Sequence, residues 1–250
     1  MDVAQALLLA AAGFLAGFCN TVAGGGSTFT IPALEWFTGS PGMANATNRV
    51  AILLQNVSAT GAYQTGRVIP WKQTLRACPA AIAGGAAGAY LAAIVDPGVM
   101  RVALSVAILF VALNAVLRKQ ARAPKLHGAW RDVAFFFAGF YAGFMQIGVG
   151  FVLLAILVGG LALELVPANG MKVVIVLAAT VPALLIFGLK GQVNWTAGAV
   201  VAAGNVTGAW IAARLAIKKG AGWIRYVLVF AAVAAVVKLL VFPSVIAPNG

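Results

Sequence analysis

The chain has 250 residues, 62% hydrophobic and 9% charged, with mean hydropathy +0.99 and a net charge of +12. Soluble domains carry about a quarter charged residues, so this composition excludes an ordinary water-soluble surface and points to an integral membrane protein. The apolar stretches are long rather than short and alternating, which excludes a barrel. The basic residues cluster at segment ends, which reads as orientation in a bilayer and not as nucleic-acid binding.

In chain order, Val3 to Cys19 reads as a first helix, about 26 Å long and short for a hydrocarbon core of about 30 Å. Asp2, with no Lys or Arg before it, is unlike the positive start of a cleaved signal peptide. Asn20 to Ser27, "NTVAGGGS", breaks the helix, and a short second segment runs from Thr28 to Phe37. "TGSPGMAN" reads as a loop. Further helices are predicted over Ala44–Tyr63, Thr74–Val95 and Val99–Leu117, with Asp96 as an N-cap. Residues 118–131, "RKQARAPKLHGAWR", form a basic linker. Beyond it come Val133–Gln146, a break at "IGVG", Phe151–Leu163, Asn169–Leu189, Trp195–Ile217 and Trp223–Val241. Cys19 and Cys78 lie in apolar surroundings without redox or metal spacing and read as packing residues.

The two halves match in order. Gly13 and Gly17 correspond to Gly139 and Gly143, Asn20 to Gln146, Gly24 to Gly150, Arg49 to Lys172, Gly84 and Gly88 to Gly204 and Gly208, and Arg101 to Arg225. Small residues four apart allow close helix packing in lipid, and the ordered series points to duplication. Basic loops at Arg67 and Lys72, at the linker, and at Lys218 and Lys219 are expected in the cytoplasm, with both termini outside. Five segments per half then invert the second half. The expected fold is all-α: a polytopic membrane protein with two inverted repeats of about five segments, 1–117 and 132–250, joined by 118–131 into one transport domain.

Irregular backbone survives in a membrane only when protein buries it or when it lines a wet cavity. Two matched breaks therefore predict a site between the repeats. A helix starting after Gly24, Gly25 and Gly26 offers unpaired N–H groups and the positive end of its dipole, which suits an anion. A side chain at Gly25 is expected to obstruct that approach. Asn20, Thr21, Ser27 and Thr28 add neutral donors, and Gln146, Gly148 and Gly150 supply the second break. "NATNRV" sets Asn45, Asn48 and Arg49 at one helix head, and "PANGMK" sets Asn169 and Lys172 at its counterpart. A cation inside a membrane segment faces a cavity or a partner, and Arg49 and Lys172 are expected to act on an anionic substrate.

"GFLAGFCNTVAGGGSTFTIPAL" with "ANATNRVAILLQNVSATGAYQTGRV", and "GFYAGFMQIGVG" in the second half, resemble the sulfite exporter TauE/SafE family of membrane permeases. The resemblance covers nearly the whole chain. It implies export of sulfite, sulfoacetate or related organosulfonates across the bacterial inner membrane. An anion channel, or a permease for another small organic anion, is the alternative. No nucleophile–base pair, metal set or cofactor motif is present, so an enzyme is not expected. His127 reads as a solvated linker residue. H+ coupling (through Glu35 or Glu164), Na+ coupling and facilitated diffusion all fit the sequence, as does a homodimer.

Overall fold

The computed structural model describes the backbone of residues 1–116 and 126–241, and the side chains except those of 110–116, 221 and 224–241. Linker residues 118–125 lie outside the described residues, as do the side chains of residues 224–241, Arg225 among them. Helices occupy most of the rest: α1 (Val3–Val22), α2 (Ser27–Thr38), α3 (Pro41–Thr65), α4 (Trp71–Ile94), α5 (Pro97–Val116), α6 (Gly128–Phe144), α7 (Val149–Leu154), α8 (Leu165–Leu189) and α9 (Trp195–Val241). A π-helical turn, Ala155–Gly160, continues α7. Gly220, at φ +70°, divides α9 into two limbs.

Local chemistry sets the ends. Asp2 and Gln5 form a reciprocal capping box on α1. Gly39, left-handed at φ +70°, closes α2. Ser40 then caps α3 by accepting from the Met43 N–H at 3.3 Å, with Pro41 in the first turn. The predicted loop "TGSPGMAN" is therefore only Gly39 and Ser40, because the Pro–Gly pair opens a helix here. Asp96 accepts from the Gly98 N–H at 2.7 Å and caps α5 as expected. α6 starts at Gly128, inside the expected linker.

Four helices have the length and apolarity to cross a membrane among the described residues: Val3–Val22, Trp71–Ile94, Leu165–Leu189 and Trp195–Gly220. α3 is 25 residues long, about 37 Å, and falls short on hydropathy because it carries Asn45, Asn48, Arg49, Gln55 and Asn56, all buried. The outward faces carry Leu7, Leu75, Leu185 and Leu189, exposed as lipid contacts should be. The chain is a multi-pass helical membrane protein.

Packing follows the glycines. On α1, a Cβ at Gly13 or Gly17 would overlap the backbone of Val201 or Asn205, and one at Gly204 or Gly208 would overlap Ala10 or Phe14. Residue numbers rise together along this contact, so α1 and α9 run parallel. The same holds for α4 and α6: Gly84 and Gly88 meet Phe136 and Phe140, and Gly139 and Gly143 meet Ala81 and Gly85. Backbone-to-backbone contact of this kind maximises dispersion where lipid supplies no hydrophobic drive. The first helix of each half thus packs on the fourth helix of the other.

Candidate functional site

The first break begins where α1 ends at Val22. α2 folds back against α1, since Gly26 touches the Ala16 backbone so closely that a Cβ would overlap it. Asn20 holds the turn. Its Oδ1 accepts from the Gly26 N–H at 2.6 Å, and its Nδ2 donates to Gln55 Oε1 at 3.2 Å and Ser27 Oγ at 3.5 Å. Asn48 Nδ2 donates to the same Ser27 hydroxyl at 3.3 Å. The Gly24 N–H is taken by the Cys19 carbonyl at 3.0 Å. Two of the three glycine N–H groups expected to be bare are therefore bonded within the protein. The left-handed position is Gly24, at φ +105°, and not Gly25.

The second break follows Phe144. Gln146 (φ +63°) and Gly148 (φ +76°) both adopt left-handed backbone. The Tyr141 hydroxyl donates to the Ile147 carbonyl at 2.6 Å and steadies the turn. Gly150 lies directly on Gly24: a Cβ on either would overlap the other's Cα. The matched glycines of the two breaks are in contact.

The two buried cations cross over. Arg49, fully buried on α3, serves α6. Its Nη1 donates to the Ala142 carbonyl and Gln146 Oε1, and its Nη2 to the Gly143 carbonyl at 2.9 Å and Asn45 Oδ1 at 3.1 Å. Asn45 Nδ2 donates to the Phe144 carbonyl at 2.8 Å, so three successive carbonyls at the end of α6 are capped from α3. Phe187 lies under the guanidinium, 5.5 Å from its ring centre. Lys172, on α8, serves α1. Its Nζ donates to the Asn20 and Thr21 carbonyls at 2.9 and 3.0 Å and to Asn169 Oδ1 at 2.6 Å. A helix C-terminus carries about −0.5 charge and four unpaired carbonyls. Each cation meets that charge where no carboxylate is available. All five acids of the chain are described, and none is buried. Glu35 instead pairs with Arg101 at 3.4 Å on the surface, and Glu164 precedes α8 in an exposed position.

All the residues singled out in the two breaks and the two helix heads thus meet around one crossing. Lys172 has no ammonium donor left over. Arg49 keeps one, since its Nε is buried without a partner, as are Asn48 Oδ1, Thr30 Oγ1 and both carboxamide atoms of Asn205. Gln55, Thr30 and Asn205 escaped the sequence reading. Gln55 stands seven residues after Asn48, two helical turns along the same face, and that spacing was available. Asn205 sits inside a GxxxG stretch and reads as a spacer.

Comparison with known proteins gives the chain's family. The family model for the sulfite exporter TauE/SafE matches residues 9–239. The probable membrane transporter protein YfcA of Escherichia coli K12 is 29% identical over 231 residues, 90% of this chain and 86% of that protein. The probable membrane transporter protein ORF9 of Sinorhizobium sp. is 29% identical over 250 residues, 97% of this chain and 96% of its own length. A probable membrane transporter protein of Haemophilus influenzae is also 29% identical, over 90% of this chain. No solved structure matches the chain. The chain belongs to the sulfite exporter TauE/SafE family of membrane transporters.

Proposed function

We propose that the chain carries a small sulfur-containing anion, such as sulfite, sulfoacetate or a related organosulfonate, outward across a bacterial inner membrane by alternating access. The observation that carries this reading is the exchange of cations: each half lends the other a buried positive charge at a broken helix, and no buried carboxylate cancels either. Such a crossing is positive overall and attracts an anion. In this reading the two halves are inverted repeats that rock about the Gly24–Gly150 contact.

The anion's direct contacts are the neutral groups of the first break: Asn20, Ser27, Asn48 and the start of α2. Thr21, Gly25, Gly26, Gln146 and Gly148 shape the two turns. Arg49 and Lys172 act mainly through charge and by holding those turns. Cargo charge is balanced by H+ or Na+, without a core carboxylate as carrier. A homodimer is compatible with the exposed outer faces.

Purified protein warmed with a panel of small anions tests this. A ligand that binds only the folded state raises the unfolding temperature by mass action, and sulfite or sulfoacetate should do so while choline should not. Flux in proteoliposomes should saturate and show counterflow. Linear, non-saturating flux would make the protein a channel instead.

A further inference from the structure

A cavity of about 440 Å³ opens beside the start of α6, at the opposite end of that helix from the second break. Gln73 of α4, with His127 and Arg131 at the head of α6, forms its polar side. Phe135, Gly160 and Met171 form its buried floor. We infer that this cavity is a loading vestibule for the transported anion, a second oxyanion site on the face that carries the basic loops. The inference rests on the transport reading above.

The size suits a small organic anion with several waters. None of the residues lining it is acidic. Arg131 donates to Asp132 Oδ1 through Nε at 3.0 Å and Nη2 at 2.7 Å, which leaves Nη1 for a ligand. The first-turn N–H groups of the 17-residue α6 have no side-chain cap. The walls are built rather than incidental. Ala162 on the rim holds left-handed backbone at φ +55°, a conformation costly for alanine. The Leu126 N–H donates to the Gly160 carbonyl at 3.0 Å, and the Leu126 side chain occupies the space where Gly160 has none. Met171 on the floor is followed by Lys172, whose ammonium grips the first break.

The test uses thiol labelling in a Cys19→Ala, Cys78→Ala background, with Ala162→Cys on one wall and, in a separate protein, Gln73→Cys on the other. Sulfoacetate should slow labelling at both positions, and chloride at equal ionic strength should not. Arg131→Gln should weaken that protection about tenfold, as expected for loss of a charge-assisted bond. Asp132→Asn should strengthen it, because the guanidinium is then free to turn both edges to the ligand. Labelling unaffected by sulfoacetate, in a protein that still transports it, would overturn the vestibule. So would equal protection by anionic lipid without sulfoacetate, which would make the cavity a headgroup site. Protection without any flux would instead count against the transport reading and leave the cavity as an oxyanion site without a loading role.

Discussion

At the first break the chain links Gln55, Asn20, Ser27 and Asn48 in a row of side-chain hydrogen bonds. At the second it places Ile147, Val149 and Leu153, with Gln146 as the one buried polar side chain. Yet both breaks end a helix inside the protein and meet the same cost, a row of unpaired carbonyls. Both meet it the same way, with a cation from the other half. The difference is the polar surplus. Capping needs what the second break has. What the first break has beyond that, including unpartnered atoms on Asn48 and Thr30, is what the proposed anion site would use.

The largest effect should come from the clamps. Arg49→Ala orphans the Ala142 and Gly143 carbonyls, at about 1–3 kcal/mol for each buried group left unpaired. A loss of about 2–6 kcal/mol is expected, offset in part because a buried charge is also removed. Lys172→Ala orphans the Asn20 carbonyl alone and should cost less, since the Tyr63 hydroxyl still reaches the Thr21 carbonyl at 3.5 Å. Arg49→Lys should recover only part of the loss, because three donors on a point cannot replace a planar fork serving four acceptors. Thermal unfolding in detergent ranks the three. Equal midpoints for Arg49→Ala and the unsubstituted protein would show that the clamp holds nothing.

The glycine contact comes next. Gly24→Ala and Gly150→Ala introduce the same overlap from opposite sides. Only Gly24 also has a φ of +105°, so its variant should be the less stable by about 1–3 kcal/mol. Gly25→Val should impair anion binding more than it lowers the unfolding temperature. If the two alanine variants unfold alike, backbone strain at the first break is not part of the comparison.

Asn20→Ala removes the hydrogen bond from the Gly26 N–H and the link to Gln55. A hydrogen bond is worth about 0.5–1.5 kcal/mol net, a smaller change, and the half-saturation concentration for transport should rise with it. Gln146→Ala tests the other break. It should alter unfolding through Arg49 while leaving substrate affinity nearly unchanged. Equal shifts in affinity for both variants would place the ligand on both breaks.

Much of this arrangement is written locally. Helix limits follow from Asp2, Ser40 and Asp96, and the α1–α9 and α4–α6 contacts from glycines four apart. The breaks are legible because glycine and amide runs interrupt apolar helix. What no local pattern states is which helix a cation serves. Three of the four Arg49 acceptors lie 93 to 97 residues away, and two of those three are backbone carbonyls, which any sequence supplies. A buried cation without an acid nearby in sequence therefore reads as facing a substrate, although a helix C-terminus answers it as well. The Gly24–Gly150 contact was foreshadowed only as a correspondence between repeats, because a shared position in two halves does not say that the positions touch.

The one expected gain in stability, and the finest test of the polar surplus, is at Asn205. Its position in the glycine pattern of α9 is that of Gly85 in α4, since Gly84 and Gly88 correspond to Gly204 and Gly208. One half has a glycine there that packs on the Ala179 backbone. The other has a carboxamide, fully buried, with neither polar atom bonded. Leucine is close to asparagine in shape and carries no polar atoms, so Asn205→Leu removes two unsatisfied groups without opening a void. Buried polar groups left unpaired cost about 1–3 kcal/mol, and the variant should be more stable by up to that amount. If the carboxamide serves substrate passage on the first-break side, the gain in unfolding temperature should come with slower flux. Gly85→Ala should differ in kind, costing stability because it presses on α8. A variant Asn205→Leu that unfolds earlier than the unsubstituted protein would mean that the carboxamide has partners in the membrane, such as bound water, and that the first break's excess polarity is already satisfied before any anion arrives.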